Sequence, residues 1–154
     1  MLVYVLQGGN RRIGALASKP MILNIINKMK SALLYGKALK CYKVNNYKDS
    51  ILLFKKVVEI NPEVPRIELV QYYIGRSYLA LGNTKDALSY FSKAYDVFID
   101  RIRQVGDPKE IHQFKFLAAN YIQSLSMIGK EDMAKKIETE CEEELRKLGS
   151  NLEL

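Results

Sequence analysis

One segment of this chain occurs twice. Residues 42–62 read YKVNNYKDSILLFKKVVEINP, and the stretch beginning at Tyr78 reads YLALGNTKDALSYFSKAYDVF. Setting Asn46 against Asn83 brings the two into register at an offset of 37 residues. Tyr47-Lys48-Asp49 then faces Thr84-Lys85-Asp86, Ile51 faces Leu88, Phe54 faces Phe91 and Val57 faces Ala94. Each copy has apolar residues at helical spacing on both sides of an Asn-containing corner, the pattern of two helices joined by a tight turn. A period of this length belongs to helical repeat arrays, whose units cannot bury their apolar faces alone. The chain must therefore stack helix pairs.

The repeat resembles the tetratricopeptide repeat family. That pattern places a small residue and an aromatic on a first helix, a Gly-type turn, a small residue and an aromatic on a second helix, and a closing Pro. The second copy carries it as Gly75, Tyr78, Gly82, Ala87, Phe91 and Ala94. The first carries Ala38, Tyr42, Phe54, Val57 and Pro62, with Ser50 in a position where the family prefers Ala. A third copy runs through Ala118, Tyr121, Gly129, Ala134 and Cys141, with Glu138 in place of the aromatic and no closing Pro. The resemblance spans roughly residues 30–148. It implies an all-α, right-handed solenoid of about three antiparallel helix pairs, with an N-terminal helical extension and a C-terminal capping helix. It also implies protein–protein interaction as the function.

Local signals place the helices. Ser18-Lys19-Pro20 is a helix start, and Ile22, Ile25, Ile26, Met29 and Leu33 recur at helical spacing. One long helix is expected to about Val44, with a break near Gly36. Asn46 and Asn83 are expected to cap helices 47–60 and 84–105, each with an acid three residues on. Asn61-Pro62 ends the first of these, and Pro65 delays a helix over 66–81. Gly75 is expected where a neighbouring helix presses close. Gly106-Asp107-Pro108 ends one helix and starts another, with Glu110 completing a capping box. The last helix is expected over 131–148, with the acidic run Glu142-Glu143-Glu144 and its Glu142/Arg146 and Glu143/Lys147 pairs on a solvated outer face.

Residues 20–148 thus read as the repeat domain, residues 1–19 as a leader or arm, and residues 149–154 as a frayed tail. The leader opens with MLVYVL and breaks at Gly8-Gly9. Two readings of it stand. It is a loosely attached extension upstream of a native start at Met21, or an apolar arm that completes a sheet edge on another chain. Its glycines lack the spacing of a phosphate loop.

Composition narrows the function. Cys41 and Cys141 both fall on apolar helical stripes and read as buried thiols. With a single histidine, His112, they leave too few ligands for a zinc site, and no cofactor is expected. No apolar run approaches the ~18 residues of a membrane span, and a cytoplasmic protein is the default. Asp96 and Asp100 are one turn apart but have no histidine or nucleophile beside them, so an enzyme is not expected. The net charge of +7 is uneven. Residues 1–60 hold eleven Lys and Arg against two acids, and the remainder holds thirteen against fifteen.

Partner-binding residues follow from the resemblance. The first helix of each pair would line a concave groove through Tyr35, Leu39 and Tyr42, then Tyr72, Arg76 and Leu79, then Phe116, Ala119 and Gln123. Tyr and Arg suit recognition of a peptide or partner helix. The Lys/Asn clamp by which one subclass of the family holds chaperone C-terminal carboxylates is absent, since Tyr35, Leu39 and Tyr73 occupy its positions. The alternative is a basic surface, with Lys28, Lys30, Lys37, Lys40 and Lys43 at its centre, that takes RNA or an acidic protein. Self-association is a further expectation, because a short solenoid leaves an end to cover.

Overall fold

A computed structural model describes residues 19–152, with side chains to Gly149. The leader expected before Lys19 lies outside the described residues, as do Glu153 and Leu154. Six helices follow one another: α1 Lys19–Lys43, α2 Tyr47–Ile60, α3 Ile67–Ala80, α4 Thr84–Val105, α5 Pro108–Met127 and α6 Glu131–Leu152. No strand occurs among the described residues. Each helix packs on the next, and α3 also reaches α5. Connections this short reverse the chain, so neighbouring helices run antiparallel.

Three corners share one construction. Asn45, Gly82 and Gly129 each adopt left-handed backbone, with φ of 60°, 78° and 74°. The next residue then donates its N–H five residues back: Asn46 to Cys41, Asn83 to Tyr78 and Lys130 to Leu125, at 2.9–3.0 Å. This hydrogen bond satisfies a carbonyl that the ending helix leaves without a partner. At the first two corners the same Asn also starts the next helix. Asn46 Oδ1 accepts from the Asp49 N–H and Asn83 Oδ1 from the Asp86 N–H. Asp107 caps α5 in the same manner through the Lys109 N–H, with Pro108 behind it.

The core lies between helix pairs. Phe54, Val57 and Ile51 of α2 pack with Ala38 of α1 and with Val70 and Ile74 of α3. A second cluster joins Phe91, Phe98 and Ile102 of α4 to Phe114, Leu117 and Leu125 of α5 and to Ala134 and Cys141 of α6. Tyr78 touches both clusters. At Gly75, a β-carbon would stand 2.7 Å from Phe91 Cε1 and 3.3 Å from the Ala87 carbonyl oxygen. Only glycine lets α3 and α4 come this close.

Several expectations are corrected. α1 runs unbroken through Gly36. Its apolar residues do not all face the core. Ser31 and Ala38 are buried, whereas Ile22, Ile25, Ile26, Met29 and Leu33 are exposed: the first turns of this 25-residue helix run past the 14-residue α2, and Met29 and Leu33 lie on the side away from Ser31 and Ala38. Cys41 is only half-buried. Glu110 does not close a capping box but pairs with Arg66 of the α2–α3 connection. α6 continues past Leu148 to Leu152. Glu144 is buried, not solvated, and pairs with Arg103 of α4 at 2.9 Å and with Lys147 at 2.8 Å.

Two measurements test this packing. Gly75→Ala should destabilise the chain by about 1–2 kcal/mol in urea, since overpacking against Phe91 outweighs the gain in helix propensity. Gly36→Ala meets nothing within 4 Å and should stabilise by up to ~1 kcal/mol. A shared sign for the two would contradict the close approach. The second test concerns pH. Hydrogen bonds from Arg103, then Lys147, hold the Glu144 carboxyl at about 2 against an ordinary 4.5. As pH falls, the unfolded chain therefore takes up this proton first and stability drops between about 4.5 and 2. Glu144→Gln should be the less stable protein at neutral pH and should lose its disadvantage towards pH 2, as read from denaturation midpoints.

Candidate functional site: the face formed by α1, α3 and α5

The first helices of the three pairs meet along one face. Tyr42 of α1 touches Tyr73 of α3 edge-on at a centroid distance of 5.0 Å. Tyr73 stacks on Phe54 at 5.7 Å and an interplanar angle of 4°, and its neighbour Tyr72 lies 5.6 Å away. Tyr72 in turn leans on Phe91, the ring wedged against Gly75. Tyr35 meets Phe54 edge-on at 5.5 Å. Across the other side, Arg76 of α3 donates to Asn120 Oδ1 of α5 at 2.9 Å, and Asn120 donates back to the Phe116 carbonyl. Leu69, Tyr72, Tyr73, Gln113 and Phe116 enclose a small pocket of 140 Å³ between α3 and α5.

The electrostatics suit binding more than proton chemistry. Burial pushes the Tyr35, Tyr72 and Tyr73 hydroxyls above their usual range, so all three stay neutral. Burial opposes the Arg76 charge, and the Tyr72 and Tyr42 hydroxyls outweigh it. Arg76 thus remains a cation at the centre of an aromatic row. Burial also raises the Cys141 thiol, which faces the Tyr95 hydroxyl at 3.5 Å and is no nucleophile.

The expected groove residues divide. Tyr35, Tyr42, Tyr72 and Arg76 adjoin one another as a half-buried surface. Leu39 packs onto the α1–α2–α3 core and Leu79 onto the cluster beside α4. Phe116, Ala119 and Gln123 are exposed, Phe116 by 54% with its ring edge-on to His112 at 4.9 Å. Sequence reasoning missed Leu69, Gln113 and Asn120 as members of this face. Leu69 lies three residues before Tyr72, Gln113 three before Phe116 and Asn120 four after Phe116, each one helical turn from an expected position, so the i±3 and i±4 neighbours held the signal.

The five expected lysines are all exposed on α1. Their spacing distributes them around the helix. Lys30 and Lys37 share one side, and Lys28 lies on another, where it borders a 460 Å³ pocket with Tyr35, Asn61 and Arg66. They form no single stripe.

One charged cluster braces the face. Glu68 is fully buried at the start of α3 and pairs with Arg66 and, at 3.2 Å, with Arg101 of α4. Arg66, in left-handed backbone at φ 65°, also forms an ion pair with Glu110 of α5 through Nη1 at 2.8 Å and donates from Nη2 to Glu110 and to Gln113. Three helices are thereby tied at one end of the groove.

No family model matches the chain, and neither curated proteins nor solved structures yield a match. No helix among the described residues is long and apolar enough to cross a membrane.

The cluster predicts an asymmetry. Removing both cations, as Arg66→Met with Arg101→Met, strands a buried carboxylate and should cost about 3–5 kcal/mol. Glu68→Gln leaves two arginines that are 31–33% exposed and can turn to water, so its loss should be the smaller. Urea titration of the variants compares the two, and equal losses would show that Glu68 is not the desolvated member.

Proposed function

We propose that this protein is a non-catalytic scaffold that binds a peptide or a partner helix along the face of α1, α3 and α5. The fold we propose for it is a right-handed solenoid of tetratricopeptide type. The observation that carries the function is the aromatic row Tyr35, Tyr42, Tyr73 and Tyr72 leading to Arg76. Half-buried tyrosines already held in ring contacts lose little freedom on binding and offer both apolar area and polar tips. Arg76 keeps donors for a carboxylate or a main-chain carbonyl beside them. The three like corners and the Gly75–Phe91 contact support the repeat reading that places these helices side by side.

The alternative is RNA or an acidic protein on the lysines of α1. A phosphate-tracking surface needs its cations in line. The scatter of the lysines around α1 makes no such line, so for RNA the support is weaker than for a peptide on the ordered tyrosine row.

Selection of a displayed peptide library on the full chain tests the proposal, with Tyr72→Ala/Arg76→Ala selected in parallel after circular dichroism has shown it folded. Peptides enriched on the wild type should bind the double variant at least about tenfold more weakly, the scale of losing central aromatic and Arg contacts. They should also shift the backbone resonances of Tyr72 and Tyr73. Peptides that bind both proteins alike would refute the groove. Tighter binding of single-stranded RNA, with a steep salt dependence, would favour the basic surface instead.

A further inference from the structure

The outer side of α1 carries a second, separate surface. Ser31 and Ala38, seven residues apart, mark the side turned onto α2. On the opposite side stand Ile22, Ile26, Met29 and Leu33, exposed by 46%, 40%, 68% and 63%. Their spacings of four, three and four residues keep them in one line, the seam geometry of a helix that packs lengthwise on another. The line continues at Gly36, where a β-carbon would meet nothing within 4 Å. An apolar strip of this kind is a surface to be covered.

The opposite end of the chain shows that an end helix here need not look like this. The outer side of α6 exposes Lys135, Lys136, Glu138, Glu142 and Glu143, a polar cap of the kind that ends a helical array. α1 has no such cap. Its charge selects the occupant. α1 contains six lysines and no acid, and Lys30 and Lys37 border the strip. A second copy of α1 laid antiparallel would set these lysines against each other.

We propose that the outer face of α1 docks an amphipathic helix of another protein, apolar along one stripe and acidic along its edges. The site is distinct from the tyrosine face and stands or falls independently of it.

The test uses the full chain and two synthetic 21-residue helices with Leu at the seam positions, one flanked by Glu and one by Lys. Fluorescence anisotropy should show the Glu-flanked helix bound at least tenfold more tightly than the Lys-flanked one, and more weakly as salt is raised. Met29→Glu/Leu33→Glu changes only exposed positions and should lose tenfold or more. Lys30→Ser/Lys37→Ser should narrow the preference between the two peptides. Tyr72→Ala/Arg76→Ala should leave binding unchanged. The proposal is overturned if both peptides bind alike or if the Met29/Leu33 variant binds as the wild type does. It is equally overturned if the strip instead drives co-sedimentation with phosphatidylserine vesicles, or a concentration-dependent dimer that the Met29/Leu33 variant abolishes.

Discussion

The contact on which the rest of the structure depends is the Phe91 ring against the backbone of Gly75. It sets the separation of α3 and α4 at a distance no other residue at 75 permits without a shift. Phe91 also carries Tyr72, and Tyr72 lies against Tyr73, which reaches back to Phe54 and Tyr42. A fully buried ring in the second helix pair thus orients the tyrosines of the exposed face. Packing in a dense interior transmits position in this way because side chains have few other places to go.

The same device, in altered form, closes the first pair. The 37-residue offset sets Ala38 against Gly75, Ser50 against Ala87 and Phe54 against Phe91. Ala38, Ser50 and Phe54 are all fully buried, and Ser50 Oγ donates to the Ala38 carbonyl at 3.2 Å. Ser50, standing where the second copy has Ala87, therefore adds a hydrogen bond between helices and satisfies the hydroxyl it buries. The third pair lacks the device. Glu138, in the aromatic position, is exposed, and α6 is held instead by Ala134, Cys141 and the Arg103–Glu144 ion pair. The repeat pattern weakens along the chain as a charged contact takes over from an aromatic one.

What could be read from the sequence follows from range. The helix limits from Tyr47 to Met127, the Asn46, Asn83 and Asp107 caps and the need for glycine at 75 depend on neighbours within a turn or on an internal copy, and these were legible to within a residue. Glu68, Glu110 and Glu144 were not. Besides the near partners Arg66 and Lys147, each has a partner 33 to 44 residues away, and a carboxylate gives no periodic sign of where it will be buried. Glu144 sits inside the run Glu142-Glu143-Glu144, where its neighbours are solvated and composition alone favours a surface. α1 misled for a different reason. A helix with apolar residues on two opposite sides has no single stripe, and spacing cannot say which side the chain itself will cover. For the face of α1, α3 and α5, the direction of each row was readable but its width was not, since Leu69, Gln113 and Asn120 enter where α3 meets α5.

The two exposed surfaces differ in how far they are organised before any partner arrives. On the face of α1, α3 and α5, rings hold rings, Arg76 is tied to Asn120, and the Arg66 cluster braces one end. Little order remains to be imposed, so such a surface can discriminate by shape. The outer strip of α1 has no such bracing. Its Met29 is a flexible side chain that adapts to what it meets, and Lys30 and Lys37 supply charge without fixed geometry. Discrimination there falls to the sign and spacing of charges along an apolar seam, which favours rapid, salt-sensitive association. A chain with one braced face and one adaptable edge can hold a partner at each, because the buried side of α1 separates the strip from the tyrosines.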